Sequence, residues 1–196
     1  SSIDDAPNSP QDVEIVFQNG FPIQIGNESL SPVDMIQKAN VLAGKNGFGR
    51  IDMIEDRVVG IKSREIYETP GLLLLIKAHK ELESLTLNPE VLDFKNIVDK
   101  KWGQLVYQGF WFGPLKKALD EFIDSTQKHV NGKVRIRLYK GNAVVIGRSS
   151  ENNSLYREDL ATYSKDDIFN HQLAEGFIYM WGMSNKIWAE SNSKNK

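Results

Sequence analysis

Cysteine is absent from this chain of 196 residues, which excludes disulfides, thiolate catalysis and cysteine-ligated zinc. The absence fits a cytoplasmic protein without requiring one, because a large folded domain needs no disulfide in any compartment. Long apolar runs are missing as well. The aliphatic run Leu72 to Ile76 falls far short of the roughly 18 residues of a membrane span, so no membrane partner is expected. Neither sign of charge dominates: 24 Lys and Arg stand against 26 Asp and Glu, a net charge of −2. Nothing in that balance attracts nucleic acid or an anionic surface, and no nucleic-acid partner is expected. Histidine is scarce, and His79, His129 and His171 lie too far apart for metal-ligand spacing, so the sequence predicts no metal site. There is no Gly-x-Ser-x-Gly elbow for a hydrolase. The run Gly47-Phe48-Gly49 lacks the further glycine of a dinucleotide fingerprint and the Lys-Ser/Thr ending of a phosphate loop, and reads as a turn.

What is present describes a folded domain. Hydrophobic residues make up 40% of the chain and charged residues 26%, far from disordered composition. Alternating apolar residues around Asn19-Gly20 predict strands at Val13 to Phe17 and Phe21 to Ile25, with Pro22 marking an open edge. A second hairpin runs from Val134 to Leu138, turns at Gly141-Asn142 and returns through Ala143 to Ile146, its Arg135, Arg137 and Lys140 forming a basic outer face. Three helices open on a capping residue or glycine followed by proline: Ser31-Pro32, Asn88-Pro89 and Gly113-Pro114. Thr69-Pro70 repeats the signal before Leu72, Leu73, Leu74, Leu75 and Ile76, predicting a buried central helix apolar on most sides. Phe110, Trp111 and Phe112, between two glycines, are expected in the core, although they could also form a ligand platform. From Ala174 to Glu190 the spacing predicts one helix too apolar for solvent, whose Phe177, Met180, Trp181, Ile187 and Trp188 suit a subunit contact.

The densest chemistry lies between Gly49 and Gly71, in GRIDMIEDRVVGIKSREIYETPG. Here Glu55, Asp56, Arg57, Lys62, Ser63, Arg64, Glu65, Tyr67 and Glu68 supply carboxylates, cations and a phenol from an ordered-looking backbone, equipment for gripping a small zwitterion. By spacing alone, a solvated β segment whose charges pair with one another explains it equally well.

That segment resembles the signature of the argininosuccinate synthase family: GRID, the acidic-Arg step Glu55-Asp56-Arg57, then KSREIYETP. NSPQDVEIVFQNGFPIQI, LVYQGFWFGP, GKVRIRLYKGNAVVIGR and AEGFI are similar, in order, to further parts of the C-terminal half of that family. The resemblance implies an enzyme using ATP to join citrulline and aspartate into argininosuccinate, with release of AMP and pyrophosphate. The family's nucleotide loop of Ser-Gly-Gly-Leu-Asp type has no counterpart, and the chain holds no Gly-Gly pair. The expectation is therefore a C-terminal synthetase domain that is inactive alone, contains no catalytic residue, and leaves ATP and Mg2+ mainly to a missing N-terminal domain. The implied citrulline contacts are Glu55 and Tyr67, with Arg57, Lys62, Ser63 and Arg64 as supporting candidates. The expected organisation is a linker over residues 1–10, a synthetase domain over 11–173, and an oligomerisation helix and tail over 174–196, the family being tetrameric. The expected fold is α+β, with β hairpins in a mixed or antiparallel sheet packed with helices. Two other functions remain open: an assembly module without activity, and a free-standing amino-acid-binding regulator.

Overall fold

A computed structural model describes residues 2–161, 168 and 170–193. The chain divides into two compact units, residues 1–156 and 157–196. In the first, five strands form one antiparallel sheet: β1 (Gln11–Gln18), β2 (Phe21–Ile25), β3 (Glu28–Ser29), β6 (Gly132–Tyr139) and β7 (Asn142–Ser149), in the order β3-β2-β1-β6-β7. Period-2 alternation fixes the register. Val13 pairs with Ile136 and Ile15 with Val134, which places all four on one buried face. That face packs against α1 (Pro32–Lys45) and α2 (Pro70–Thr86) through Met35, Ala39, Leu74, Ala78 and Leu82, all fully buried. On the opposite face Asp12 lies across from Arg137 and binds it through two hydrogen bonds of 2.7 and 2.8 Å. The expected basic face is thus partly neutralised by its neighbouring strand.

Both sheet hairpins turn through two residues of positive φ, Asn19-Gly20 (49° and 77°) and Lys140-Gly141 (44° and 78°). Such turns match the twist of the flanking strands. The second lies one residue earlier than the sequence suggested, because Tyr139 pairs with Asn142 and draws that asparagine into β7. The helix starts follow their caps at Ser31, whose side chain accepts from the Asp34 amide, and at Asn88, which accepts from Val91. Thr69 makes no side-chain cap. The Gly71 amide at the start of α2 is instead bound at 2.7 Å by the Asn40 side chain of α1. Nor is α2 buried all round, since Leu72 and Ile76 are exposed.

The long helices α3 (Pro89–Tyr107) and α4 (Pro114–Gln127) pack through an edge-to-face contact of Phe94 with Phe122 and a 2.7 Å hydrogen bond from Trp102 to Asp120. Between them Phe110, Trp111 and Phe112 are exposed, against the core placement expected of them. They sit on the surface connection that reverses the chain after Gly109, where backbone polar groups need water. Beneath the helices lies a polar cluster. Lys95 of α3 meets Glu83 of α2 at 3.0 Å, Gln127 of α4 donates to Glu83, and His79 bonds Gln127 at 2.7 Å.

The second unit holds the short α5 (Glu158–Ala161), then α6 (His171–Trp181) and α7 (Met183–Ser193). The single helix expected from Ala174 to Glu190 is two helices meeting at Gly182, and neither has a buried residue. Phe177 and Trp181 stack on α6 with ring centres 5.5 Å apart. The last three residues of the expected tail lie outside the described residues.

Candidate functional site

The charged segment folds as a two-stranded hairpin separate from the main sheet, β4 (Arg50–Asp56) and β5 (Lys62–Glu68). At its foot Gly49 has φ +111°, and a Cβ there would stand 2.2 Å from Cα of Pro70. Only glycine lets the strand leave so close to the start of α2. The Thr69 amide closes the foot on the Gly49 carbonyl at 2.9 Å, and Arg57 and Ile61 close the tip.

Strict cross-strand pairing sorts the side chains onto two faces. One carries Arg50, Asp52, Ile54 and Asp56 beside Lys62, Arg64, Ile66 and Glu68. Its charges are consumed in ion pairs: Arg50 with Glu68 at 2.6 Å, Lys62 with Asp56 at 2.6 Å, and Arg64 with Asp52 through bonds of 2.9 and 2.5 Å. The Arg64 bonds hold the Asp52 carboxyl below its usual range, and those of Arg50 do the same for Glu68. Exposed pairs of this kind add little stability one by one, but three together favour a single register.

The other face carries Ile51, Met53 and Glu55 beside Ser63, Glu65 and Tyr67. The Tyr67 hydroxyl donates to Oε2 of Glu55 at 2.9 Å. That bond is the main reason the phenol's pKa is raised, followed by burial and the negative charges of Glu55 and Glu65, with Tyr107 contributing last. The phenol therefore stays protonated through the neutral range and keeps Glu55 oriented. Ser63 stands directly across from Glu55, and its Oγ is shut off from water with no hydrogen-bond partner among the described residues. Of the residues singled out in the sequence, the hairpin thus gathers Glu55, Ser63 and Tyr67. It places Lys62 and Arg64 on the reverse face and Arg57 at the tip. Glu65 shares the acceptor face without a special place in the sequence reading; the two-residue alternation from Ser63 to Tyr67 was the signal for it.

Chemically, this face presents acceptors and negative charge, which suits a cationic or hydrogen-donating head group. A cleft of about 300 Å³ lies at the hairpin's foot between Asn40, Gly44, Gly49, Arg50, Glu68 and Pro70. A second hollow of about 480 Å³, lined by Phe21, Ile23, Ile36, Leu72 and Ile76 among others, is apolar and holds no carboxylate. Among the described residues no group of three or more His, Asp or Glu is arranged to hold a metal ion. No helix among them is long and apolar enough to cross a membrane.

Comparison with known proteins adds a lineage to this geometry. The family model described as "Arginosuccinate synthase C-terminal domain" matches residues 1–188. The chain is 86% identical over 194 residues, 99% of its length, to an argininosuccinate synthase of Prochlorococcus marinus subsp. pastoris. It is 80% identical over 196 residues, 100% of its length, to that of strain MIT 9301, and 62% identical over 192 residues, 98% of its length, to that of strain NATL1A. In all three cases it covers 48% of the relative, so the chain spans about half the length of the curated relatives it matches.

Proposed function

Because the chain belongs to the argininosuccinate synthase C-terminal domain family, we propose that it forms part of an ATP-dependent ligase of arginine biosynthesis, and that its β4–β5 hairpin holds citrulline. The observation that carries this reading is the 2.9 Å bond from Tyr67 to Glu55 on the acceptor face of the hairpin. A carboxylate pinned by a phenol is a fixed acceptor for a substrate ammonium, and fixing a reactant in place is a large part of what such a ligase must do. In the reaction the ureido oxygen of citrulline attacks the α-phosphorus of ATP, and pyrophosphate leaves. The aspartate amine then attacks the ureido carbon, AMP leaves, and argininosuccinate remains. Glu55 and Tyr67 bind and orient; neither exchanges a proton with the reacting atoms.

ATP, magnesium and aspartate belong, in this reading, to the part of the relatives that this chain does not span, and the enzyme works in the cytoplasm. The described residues offer no phosphate loop and no group of three or more His, Asp or Glu placed to hold a metal ion. The deciding experiment is Glu55→Gln in the full-length enzyme, followed by pyrophosphate release. The expected result is a rise in citrulline KM of about tenfold or more, the usual weight of a hydrogen bond to a charged group, with ATP KM unchanged. Unchanged citrulline kinetics would overturn the assignment.

A second role, compatible with the first, is assembly into a homo-oligomer, a tetramer as the family resemblance implies. Phe177, Ile178, Met180, Trp181, Ile187 and Trp188 are all more than half exposed, and an apolar surface of this kind calls for a partner. Light scattering before and after removal of residues 174–196 tests it: a monomer from both proteins refutes the role.

A further inference from the structure

Ser63, a supporting candidate by the family resemblance, has a hydroxyl with no hydrogen-bond partner among the described residues. Buried polar atoms are nearly always hydrogen-bonded, so an Oγ closed to water and lacking a partner needs an explanation. Its position supplies one. Ser63 is the residue directly across the hairpin from Glu55, and side chains so paired have Cβ atoms about 5 Å apart on one face. A small head group between them would meet both, the Ser63 hydroxyl turning about χ1 out of its enclosed position to do so.

The hydrogen-bonding capacity of this face can be counted. An ammonium brings three N–H donors. Glu55 offers carboxylate oxygens, one already receiving the Tyr67 proton. Tyr67 has committed its only proton to Glu55, so toward a ligand its oxygen can act only as an acceptor. Ser63 Oγ is the third acceptor. No cation of β4 or β5 competes for them on this face, since Lys62 and Arg64 are on the reverse side, bound to Asp56 and Asp52. Glu65, between Ser63 and Tyr67 on the same side of the strand, adds a second negative charge.

We infer that Ser63 is a substrate-binding residue whose Oγ accepts a hydrogen bond from the α-ammonium of the amino-acid substrate, completing a three-point cradle with Glu55 and Tyr67. The inference rests on the hairpin being the citrulline site. An acceptor role suits Ser63 because its neighbours from β4 and β5 on that face are acceptors or apolar.

The test uses the full-length enzyme, with citrulline and with 5-ureidopentanoate, which keeps the ureido and carboxylate groups but lacks the α-amino group. Ser63→Ala should raise citrulline KM about tenfold while leaving the KM values for ATP and aspartate within about twofold. With 5-ureidopentanoate the same substitution should cost almost nothing, because the hydrogen bond has no donor to lose. Ser63→Thr, which keeps the hydroxyl and favours a strand, should restore most of the citrulline affinity. The inference is overturned if Ser63→Ala leaves citrulline KM within about twofold, if it raises all three KM values alike, or if the loss is as large with 5-ureidopentanoate. Should the alanine variant fail to fold, Ser63→Cys keeps the volume with a weak acceptor and carries the same comparison. Glu55→Gln, measured beside it, separates the two claims. An effect of Glu55→Gln without one of Ser63→Ala removes only the serine; no effect of either removes the citrulline reading as well.

Discussion

Replacing Lys95 with methionine tests what holds the helical layer to the sheet. Lys95 is 4% exposed, and its Nζ lies 3.0 Å from Glu83 and 2.7 Å from Asp99. Glu83 is equally buried and receives the Gln127 amide at 2.8 Å. Because that amide nitrogen is given to Glu83, Gln127 turns its oxygen to His79. The His79 Nε2 must then be the donor, and Nδ1 stands 3.7 Å from the other Glu83 oxygen. Removing the ammonium strands a buried carboxylate on one amide. Breaking a buried pair in this way costs about 3–5 kcal/mol, and for a chain of this size each kcal/mol lowers Tm by roughly 2–4 °C. A fall of about 6–20 °C is therefore expected at about pH 8 in a thermal melt followed by circular dichroism. The double variant Lys95→Met/Glu83→Leu, with no charge left to strand, should recover most of the stability. In the parent chain, burial pushes the Lys95 pKa down, but the bonds it donates to Asp99 and Glu83 outweigh that and leave it raised. Its stabilising contribution is full below the ordinary lysine value and is lost only as the pH climbs through the raised one. A fall in Tm below about 3 °C for Lys95→Met at pH 8 would refute the reasoning.

Other perturbations follow from single contacts. Gly49→Ala forces a side chain into Pro70 at positive φ, and should cost at least about 2 kcal/mol in urea denaturation while loosening the hairpin. Tyr67→Phe removes the donor to Glu55 and should raise citrulline KM about five- to tenfold with ATP KM unchanged; an unchanged citrulline KM would show that the phenol orients nothing. Since the Tyr67 pKa is raised, its neutral form and that bond persist above the ordinary tyrosine range. Its contribution to citrulline KM should therefore be flat from about pH 7 to 9, and a break there that Tyr67→Phe abolishes would contradict the geometry. Trp181→Glu places a charge on the exposed apolar side of α6 and should dissociate any assembly built on it, as read by light scattering.

Local signals were legible where local chemistry decides the outcome. Asn19-Gly20 marks its hairpin because both residues must take positive φ, and Ser31 and Asn88 cap helices through bonds spanning three residues. Where a distant group decides, the sequence misleads. Thr69 looks like a cap, but the donor it would serve is near Asn40, which lies 31 residues from Gly71. Turn placement at Lys140-Gly141 depends on which residue β6 recruits as partner for Tyr139, a matter of register. The aromatic run at Phe110 looked like core because aromatic residues usually are; its exposure follows from its place on a helix connection. For the site, the family resemblance pointed to Glu55 and Tyr67, but not to their mutual bond or to the isolation of Ser63. Both follow from counting alternate residues along β4 and β5 once the pairing is known.

The two faces of the hairpin also divide the work of folding and binding. A free two-stranded ribbon is marginally stable, and this one stands apart from the five-stranded sheet. Its register is set by ion pairs on the reverse face and by the foot at Gly49, where Thr69 and Pro70 connect it to α2. None of those contacts uses Glu55, Ser63, Glu65 or Tyr67. Substitutions on the acceptor face should therefore change ligand affinity with little change in melting temperature. Arg64→Ala should do the reverse locally, increasing amide exchange along β4 and β5 by releasing Asp52 while Tyr67 stays bonded to Glu55. If Arg64→Ala instead raises citrulline KM as much as Glu55→Gln does, the faces are coupled, and the hairpin is a single binding element rather than a scaffold with one working side.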